Sequence, residues 1–535
     1  MGERLPVVYV RGYAGSTSGI DKQVDDPFYG FNNGATHVRV DGDGVPLFYQ
    51  FEGPLLRLMI DEQYRLLVHG GQEAYLRNAA PGTVEPASLW VYRFYDSAAT
   101  TFRAEKHRSW WQRLRDDADQ QTAAPGFDIE QAAVGLYDLV RLVLDRTGAP
   151  KVYLVAHSMG GLVARCMIQK VSRSGGRTPG SDLVAKLFTF GTPHGGIDFE
   201  LGALDWAMET FGPSGADMFS PAQMYGYLTP GRERGDEPPA GWDPREIPED
   251  AFPVSRVFCL VGTDPADYGL ARQVVGPKSD GLVLIRNAYV KGAHRAFVHR
   301  SHSGRYGEVN SEEGYQNLRR FLFGQYEVRA DLHGLELPPG PAGRAWQADV
   351  RLAVRGLPVV IHEQAAAHYC PVQLDEEMVQ HSDDADAPVP LAGTYLLDPA
   401  HFRGDADDAP PPRARYTVTL RVFHLDTDAN GFSFRHHLEQ VPDWADTLIV
   451  DVGREDREPP ETLRAWIAWN SSVAGTVDTE RPITELVKGG GSEGYHFVRD
   501  GAVLSSDVSL PAVAREFLGA GARIRLSVRE ADTGV

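Results

Sequence analysis

Hydrophobic and polar positions change their period along this chain, and the changes predict its elements. Between Leu5 and Phe323 short apolar runs alternate with helix-like segments, the pattern of a mainly parallel sheet with helices on both faces. Six runs are the expected strands: Pro6 to Val10, Ser88 to Tyr95, Val152 to Val155, Leu187 to Phe190, Val257 to Val261 and Leu282 to Ile285. An amphipathic helix is expected between the second and third. Asp128 can cap its start with Gln131 three residues on, Ile129, Ala133, Leu136, Val140 and Val143 share a face, and Gly148 with Pro150 ends it. A final helix is expected over Glu312 to Phe323, with Tyr315, Leu318 and Leu322 on its apolar face.

From Tyr326 onward the period becomes two. Trp346, Ala348, Val350, Leu352 and Val354 alternate with Gln347, Asp349, Arg351, Ala353 and Arg355, as in a strand with one wet face. Tyr416 to Val422 and Arg523 to Arg529 repeat this, separated by Pro, Gly and Asp clusters, so an antiparallel β-sandwich is expected. The boundary falls near Gly324, giving domains over 1–324 and 325–535. Two acidic, proline-containing stretches, from His381 and from Gly404, lack the glycine and bidentate glutamate of a calcium loop and read as solvated loops.

One change of period is abrupt. Val152, Tyr153, Leu154 and Val155 suit a strand buried on both faces, whereas Leu162, Val163, Cys166 and Met167 recur at helical spacing, so a helix should begin close to Met159. Ala156, His157, Ser158, Met159 and Gly160 lie between. Small residues two before and two after the serine fit a crowded strand-to-helix turn that leaves Ser158 at the carboxyl end of the sheet. The helix start puts unpaired backbone N–H groups beside it, an arrangement that favours an anion, so the Met159 N–H is a candidate oxyanion donor.

Composition narrows the classes. A chain of 535 residues has room for two to four domains, and 42% hydrophobic with 24% charged residues is ordinary for a soluble globular protein. The net charge of −20 argues against a broad nucleic-acid surface. Cys166, Cys259 and Cys370 have neither metal-ligand nor redox spacing and permit at most one disulfide. No metal or cofactor motif stands out. The N-terminus lacks a secretory pattern, Pro6 stands where a myristoylation motif wants serine or threonine, and no stretch approaches the ~20 apolar residues of a membrane span. A cytoplasmic protein without a transmembrane segment is expected.

AHSMGG resembles the nucleophile elbow of α/β-hydrolases, in the form with alanine for the first glycine that is similar to a group of bacterial lipases. The resemblance runs from about Leu5 to Phe323 through RGYAG, AHSMGG, GTPHGG, SDGLV and RSHSG, and implies an α/β-hydrolase fold and a serine esterase or lipase. A serine hydroxyl becomes nucleophilic when a histidine takes its proton and a carboxylate orients that histidine, in the chain order Ser, acid, His. His302, in a loop of small and polar residues before the final helix, is the preferred base, ahead of His299 and His294. Asp280, before an apolar run and a glycine, is preferred to Asp264, which precedes proline as in an ordinary turn. The resemblance agrees, since SDGLV is similar to the segment that carries the triad acid in bacterial true lipases.

VYVRGYAG follows the first strand, and Gly12 and Gly15 let its backbone approach a substrate. In the lipases it resembles, this loop reads HG-x-x-G, which implies the Tyr13 N–H as the second oxyanion donor, with Arg11 in place of the histidine. His194 of GTPHGG precedes both acids and is given a structural role. Residues 197–256 carry little strand pattern and read as a lid or a packed cap. Leu201, Leu204, Met208 and Phe211 fall on one helical face there, with Trp206, Met218, Met224, Tyr225 and Tyr227 nearby, which suits an apolar substrate. The expected function is therefore a serine carboxylester hydrolase for hydrophobic or lipid esters, a small-molecule substrate, acting through an acyl-enzyme. An acyltransferase or amidase would use the same residues, and an inactive scaffold with a binding β-sandwich is the other class. The sandwich could dock a membrane surface or a protein partner; no cluster in it chooses between them.

Overall fold

The computed structural model describes residues 4–12, 37–40, 46–49, 53–67, 71–92, 128–197, 217–266, 276–302, 307–338, 344–374, 388–397, 414–426, 441–454, 463–473 and 498–535. Contacts divide the chain into two compact units. One takes Met1–Arg295, Arg300–Leu318 and Asp532–Val535, the other Ala296–His299 and Arg319–Ala531.

The first sheet is built on β1 (Val7–Val10), β4 (Leu89–Tyr92), β5 (Val152–His157), β6 (Val184–Phe190), β7 (Val257–Gly262) and β8 (His294–Val298). They form a six-stranded sheet in the order β4-β1-β5-β6-β7-β8. The β1/β4, β1/β5, β5/β6 and β6/β7 pairings are parallel. Strands β1, β4, β6 and β7 are buried at every position, as expected where helices cover both faces. This mainly parallel sheet with its helices fits an α/β-hydrolase fold.

Helix α1 (Ile129–Thr147) follows the expected pattern: the Asp128 carboxylate accepts from the Glu130 and Gln131 N–H groups, and Gly148 ends the helix at φ 70°. Ile129, Leu136, Val140 and Val143 are buried against Leu162, Val163 and Met167 of α2 (Met159–Gln169) in one hydrophobic core. Helix α3 (Pro221–Leu228) puts Met224, Tyr227 and Leu228 into that same core, joined by Met218, Phe219, Ile247 and Phe252. Lys170 holds it there by donating to the Gly226 and Arg232 carbonyls, 2.8 Å each, and pairing with Glu130. Residues 217–256, the described part of the insertion, thus contribute to the core of the first unit. Leu201, Leu204, Trp206, Met208 and Phe211 lie outside the described residues, as do the acidic stretches 381–387 and 404–412.

The described elements differ from the expected ones at three places. Leu282 to Ile285 is not a strand: the Asp280 carboxylate accepts from the Leu282 and Val283 N–H groups at 2.9 and 2.7 Å, so the backbone curls round it before the 3-10 turn Ile285–Asn287. The last strand is β8, so His294 stands on a strand rather than beyond one. An antiparallel ribbon of β2 (His37–Val40) and β3 (Pro46–Tyr49), too short to show a pattern, was not foreseen.

The second unit holds two antiparallel sheets. One joins β10 (Arg344–Val354), β11 (Val360–Gln364), β14 (Ala414–Asp426), β15 (Trp444–Arg454) and β16 (Leu463–Trp469) in the order β11-β10-β14-β15-β16, with β12 (Val372–Gln373) on β10. The other orders β13 (Val389–Leu396), β9 (Tyr326–His333), β19 (Arg523–Glu530), β18 (Val503–Ser509) and β17 (Val498–Asp500) as β13-β9-β19-β18-β17. Both contribute to one buried cluster, Val350, Leu352, Val418 and Leu420 from the first meeting Val328, Ile524, Leu526 and Val528 from the second. A bidentate Arg415–Asp451 ion pair, 2.6 and 2.9 Å, bridges β14 and β15. All three cysteines are free and buried.

Candidate active site

Ser158 sits between β5 and α2 at φ 53°, ψ −130°, a conformation side chains rarely adopt. The surroundings over-determine it. Its N–H donates to Phe190 O at 2.8 Å, and its carbonyl accepts from Thr192 Oγ1 and the Gly161 N–H, at 2.9 and 3.0 Å. The small residues are a steric requirement: a β-carbon on Gly160 would lie 2.4 Å from Val10 O, and one on Gly161 2.1 Å from Thr192 Oγ1. Gly12 is also crowded, with its missing β-carbon 2.9 Å from that of Ser158.

The structure brings Ser158, Asp280 and His302 together. His302 Nδ1 stands 2.8 Å from Asp280 Oδ2, and His302 Nε2 stands 2.8 Å from Ser158 Oγ. A carboxylate only accepts, so Nδ1 carries the proton and donates, and Nε2 keeps its lone pair toward the serine hydroxyl. The His302 N–H also donates to Asp280 O at 2.9 Å. His302 and Asp280 side chains are 4% and 1% exposed, so their pairing is little screened. Asp280 Oδ1 is filled by the two N–H donors of its own turn, leaving Oδ2 for the imidazole.

The runners-up are elsewhere. Asp264 turns its carboxylate onto the Ala266 N–H at 2.9 Å. His299 is exposed and stacks on His368 with ring centroids 3.7 Å apart. The His294 ring stacks on Phe258. His194 is fully buried, its Nε2 3.1 Å from Thr189 Oγ1 and its Nδ1 3.4 Å from Arg165. Burial, with the Arg165 charge beside it, holds this imidazole well below the usual histidine range, and burial pushes the Arg165 guanidinium down to about 10. Met159 is the first residue of α2, so its N–H lacks an intrahelical acceptor. Arg11, the residue after β1, is buried, and Tyr13 and Gly15 lie outside the described residues.

Two residues at the site carry no sequence signal. His157 Nε2 donates to His302 O, 3.1 Å away, and burial, with His302 beside it, holds its imidazole well below the usual range, so the ring is neutral. It reads in sequence as one more residue of the elbow. Glu308, fully buried, reads as a polar loop residue. One ligand atom each of His157, His302 and Glu308 lie within 4.8 Å of one another. A cation there would compete with the hydrogen bonds that His302 already makes at both ring nitrogens.

Residues 113–211 match the family described as "Putative serine esterase (DUF676)". The matched stretch contains Ser158 and ends before Asp280 and His302. Among solved structures, a Listeria innocua protein described as the products of gene lin2722 shares 14% identity, with 60% of this chain and 94% of that one covered and a TM-score of 0.23. A structure of the Tle4-Tli4 complex shares 16% identity over 36% of this chain and 47% of that one, with a TM-score of 0.13. The family match, together with the parallel sheet, supports a serine esterase of the α/β-hydrolase type.

Proposed function

We propose that this protein is a serine carboxylester hydrolase that cleaves hydrophobic esters through an acyl-enzyme. The observation that most supports this reading is the pair of 2.8 Å hydrogen bonds running from Asp280 through His302 to Ser158. In the proposed sequence Ser158 Oγ attacks the ester carbonyl while His302 Nε2 takes its proton. Asp280 holds the tautomer and stabilises the imidazolium. The Met159 N–H, with that of Tyr13, receives the developing oxyanion, each such donor being worth roughly 2.7–4 kcal/mol of transition-state stabilisation. His302 then protonates the leaving alcohol, and water repeats the exchange on the acyl-enzyme.

The preference for apolar substrates rests on the methionine- and aromatic-rich insertion, whose described part supplies Met218, Phe219 and Met224 to the core beneath it. The segment 325–535 is read as a β-sandwich module, supported by the single buried cluster that its two sheets share.

Labelling by a fluorophosphonate probe tests the nucleophile. Labelling of the folded wild type and its loss in Ser158→Ala are expected. An unlabelled wild type, or equal labelling of Ser158→Ala, would overturn the catalytic reading.

A further inference from the structure

Behind the Ser158–His302–Asp280 line sits a carboxyl group that no step above uses. Glu308 opens the 3-10 turn Glu308–Asn310, its N–H donates to Ser301 O at 2.8 Å, and it is 0% exposed. Two glycines make its slot. A β-carbon on Gly191, at the end of β6, would lie 2.1 Å from Glu308 Oε1, 2.9 Å from His302 Nδ1 and 3.2 Å from Asp280 Oδ2. One on Gly262, at the end of β7, would lie 3.2 Å from Glu308 Oε2 and 2.8 Å from the Asp280 β-carbon. Glu308 Oε1, Asp280 Oδ2 and His302 Nδ1 therefore surround a single point that only a glycine leaves open.

An ionised Glu308 here would be a second buried anion beside Asp280, with no cation paired to it among the described residues. Such a charge is costly, and carboxyl groups forced together resolve the cost by keeping one proton between them. Neither Glu308 oxygen makes a well-formed hydrogen bond to a described residue, and the Gly262 N–H offers only a weak one. A neutral carboxyl needs an acceptor for its O–H. Of the titratable groups around it, His302 Nδ1 is itself a donor and His157 Nε2 donates to His302 O. Arg11 acts on His157 rather than on Glu308. Asp280 Oδ2, which accepts a single N–H from His302, is the acceptor left.

We propose that Glu308 is a positioning residue for the base: its carboxyl group, seated between Gly191 and Gly262, presents a proton to Asp280 Oδ2 and so holds the Asp280–His302 pair in register with Ser158. The inference rests on the reading of Ser158, His302 and Asp280 as a proton path. Burial, reinforced by the Asp280 charge, pushes the Glu308 carboxyl well above the usual range, in keeping with a retained proton. Ionising it at alkaline pH would set two anions against each other and displace the pair.

Two variants test this. Glu308→Gln keeps a neutral donor in the same shape, whereas Glu308→Leu removes the donor. On a p-nitrophenyl ester, Glu308→Leu should lose about fiftyfold or more in kcat with KM little changed, and Glu308→Gln should restore most of that and lack the alkaline decline of the wild type. Equal kcat and pH profile in Glu308→Leu and wild type would overturn the proposal. So would a Glu308→Gln as impaired as Glu308→Leu.

A second readout needs no turnover. With its pKa raised above the unfolded value of 4.5, Glu308 loses stability as pH rises toward its folded value. The Tm of Glu308→Gln should therefore gain on that of wild type as pH rises above the unfolded value of 4.5. A constant difference would mean that Glu308 holds no extra proton and would overturn the proposal, even if Glu308→Leu does not fold. A wild type without turnover would instead sink the hydrolase reading, with the Tm comparison still deciding the proton.

Discussion

Ser158 Oγ and His302 Nε2 stand 2.8 Å apart although 144 positions separate them along the chain. Three segments meet to make that contact: the elbow after β5, the turn that curls on Asp280, and the loop after β8. Each is held by backbone hydrogen bonds, from Ser158 N to Phe190 O, from Asp280 N to Val283 O and from His302 N to Asp280 O. The side chains thus inherit their geometry from the sheet.

Removing either partner of His302 should therefore be severe. Asp280→Asn is expected to lower kcat by about ten-thousandfold, and Ser158→Ala or His302→Ala by more. Asp264→Asn and His299→Ala should stay within about twofold of wild type, since their side chains face elsewhere. Ester hydrolysis by the purified variants checks this, and strong loss in Asp264→Asn with activity kept in Asp280→Asn would reassign the acid.

Gly191→Ala should inactivate without touching a reacting atom. At φ 49° an alanine is strained, and its β-carbon would fall 2.1 Å from Glu308 Oε1 and 2.9 Å from His302 Nδ1. Displacing the imidazole by a fraction of its hydrogen-bond length should cost about a hundredfold in kcat. Circular dichroism would verify that the fold survives, and an active Gly191→Ala would contradict the crowding.

Stability should fall on the acid side through buried neutral histidines. His157 and His194 both have folded values well below 6.5, so the unfolded chain binds protons that the folded one refuses. Their contribution is present above that unfolded value and is lost as pH falls below it. Thermal melts at about pH 7 and about pH 5 should show a smaller drop for His194→Asn than for wild type. An identical drop would mean that another group governs the acid limb.

In the second unit the Arg415–Asp451 pair is nearly inaccessible, with side chains 6% and 1% exposed. Asp451→Ala removes the carboxylate that holds this buried guanidinium, which should cost about 3–5 kcal/mol, whereas replacing both partners by apolar residues should cost far less. Calorimetry of the two variants separates these outcomes. Similar losses in both would indicate that packing, not charge, is what the pair supplies.

What could be read in advance follows from which interactions are local. The run Val152 to Val155 followed by helical spacing from Leu162 specifies a strand and a helix whatever they pack against, and Asp128 and Gly148 mark the ends of α1 by their own chemistry. Alternation with a period of two likewise identified β10, β14 and β19. Ser158 was legible because an elbow needs small neighbours within a few residues of it.

Only the tertiary structure decided the rest. Leu282 to Ile285 has the composition of a strand, but Asp280 draws its N–H groups inward, and a side chain that competes with the sheet for backbone donors cannot be recognised from apolar runs. His294, His299 and His302 carry the same imidazole; β8 and the loop after it send one onto Phe258, one onto His368 and one to Ser158. Glu308 carries no signal in the sequence, and only the fold shows Gly191 and Gly262 clearing a buried place for it beside Asp280. The chain alone determined which residues could act and on what kind of element. Which of them meet, and with which proton, depended on contacts between segments far apart in sequence, where burial rather than local pattern sets the chemistry.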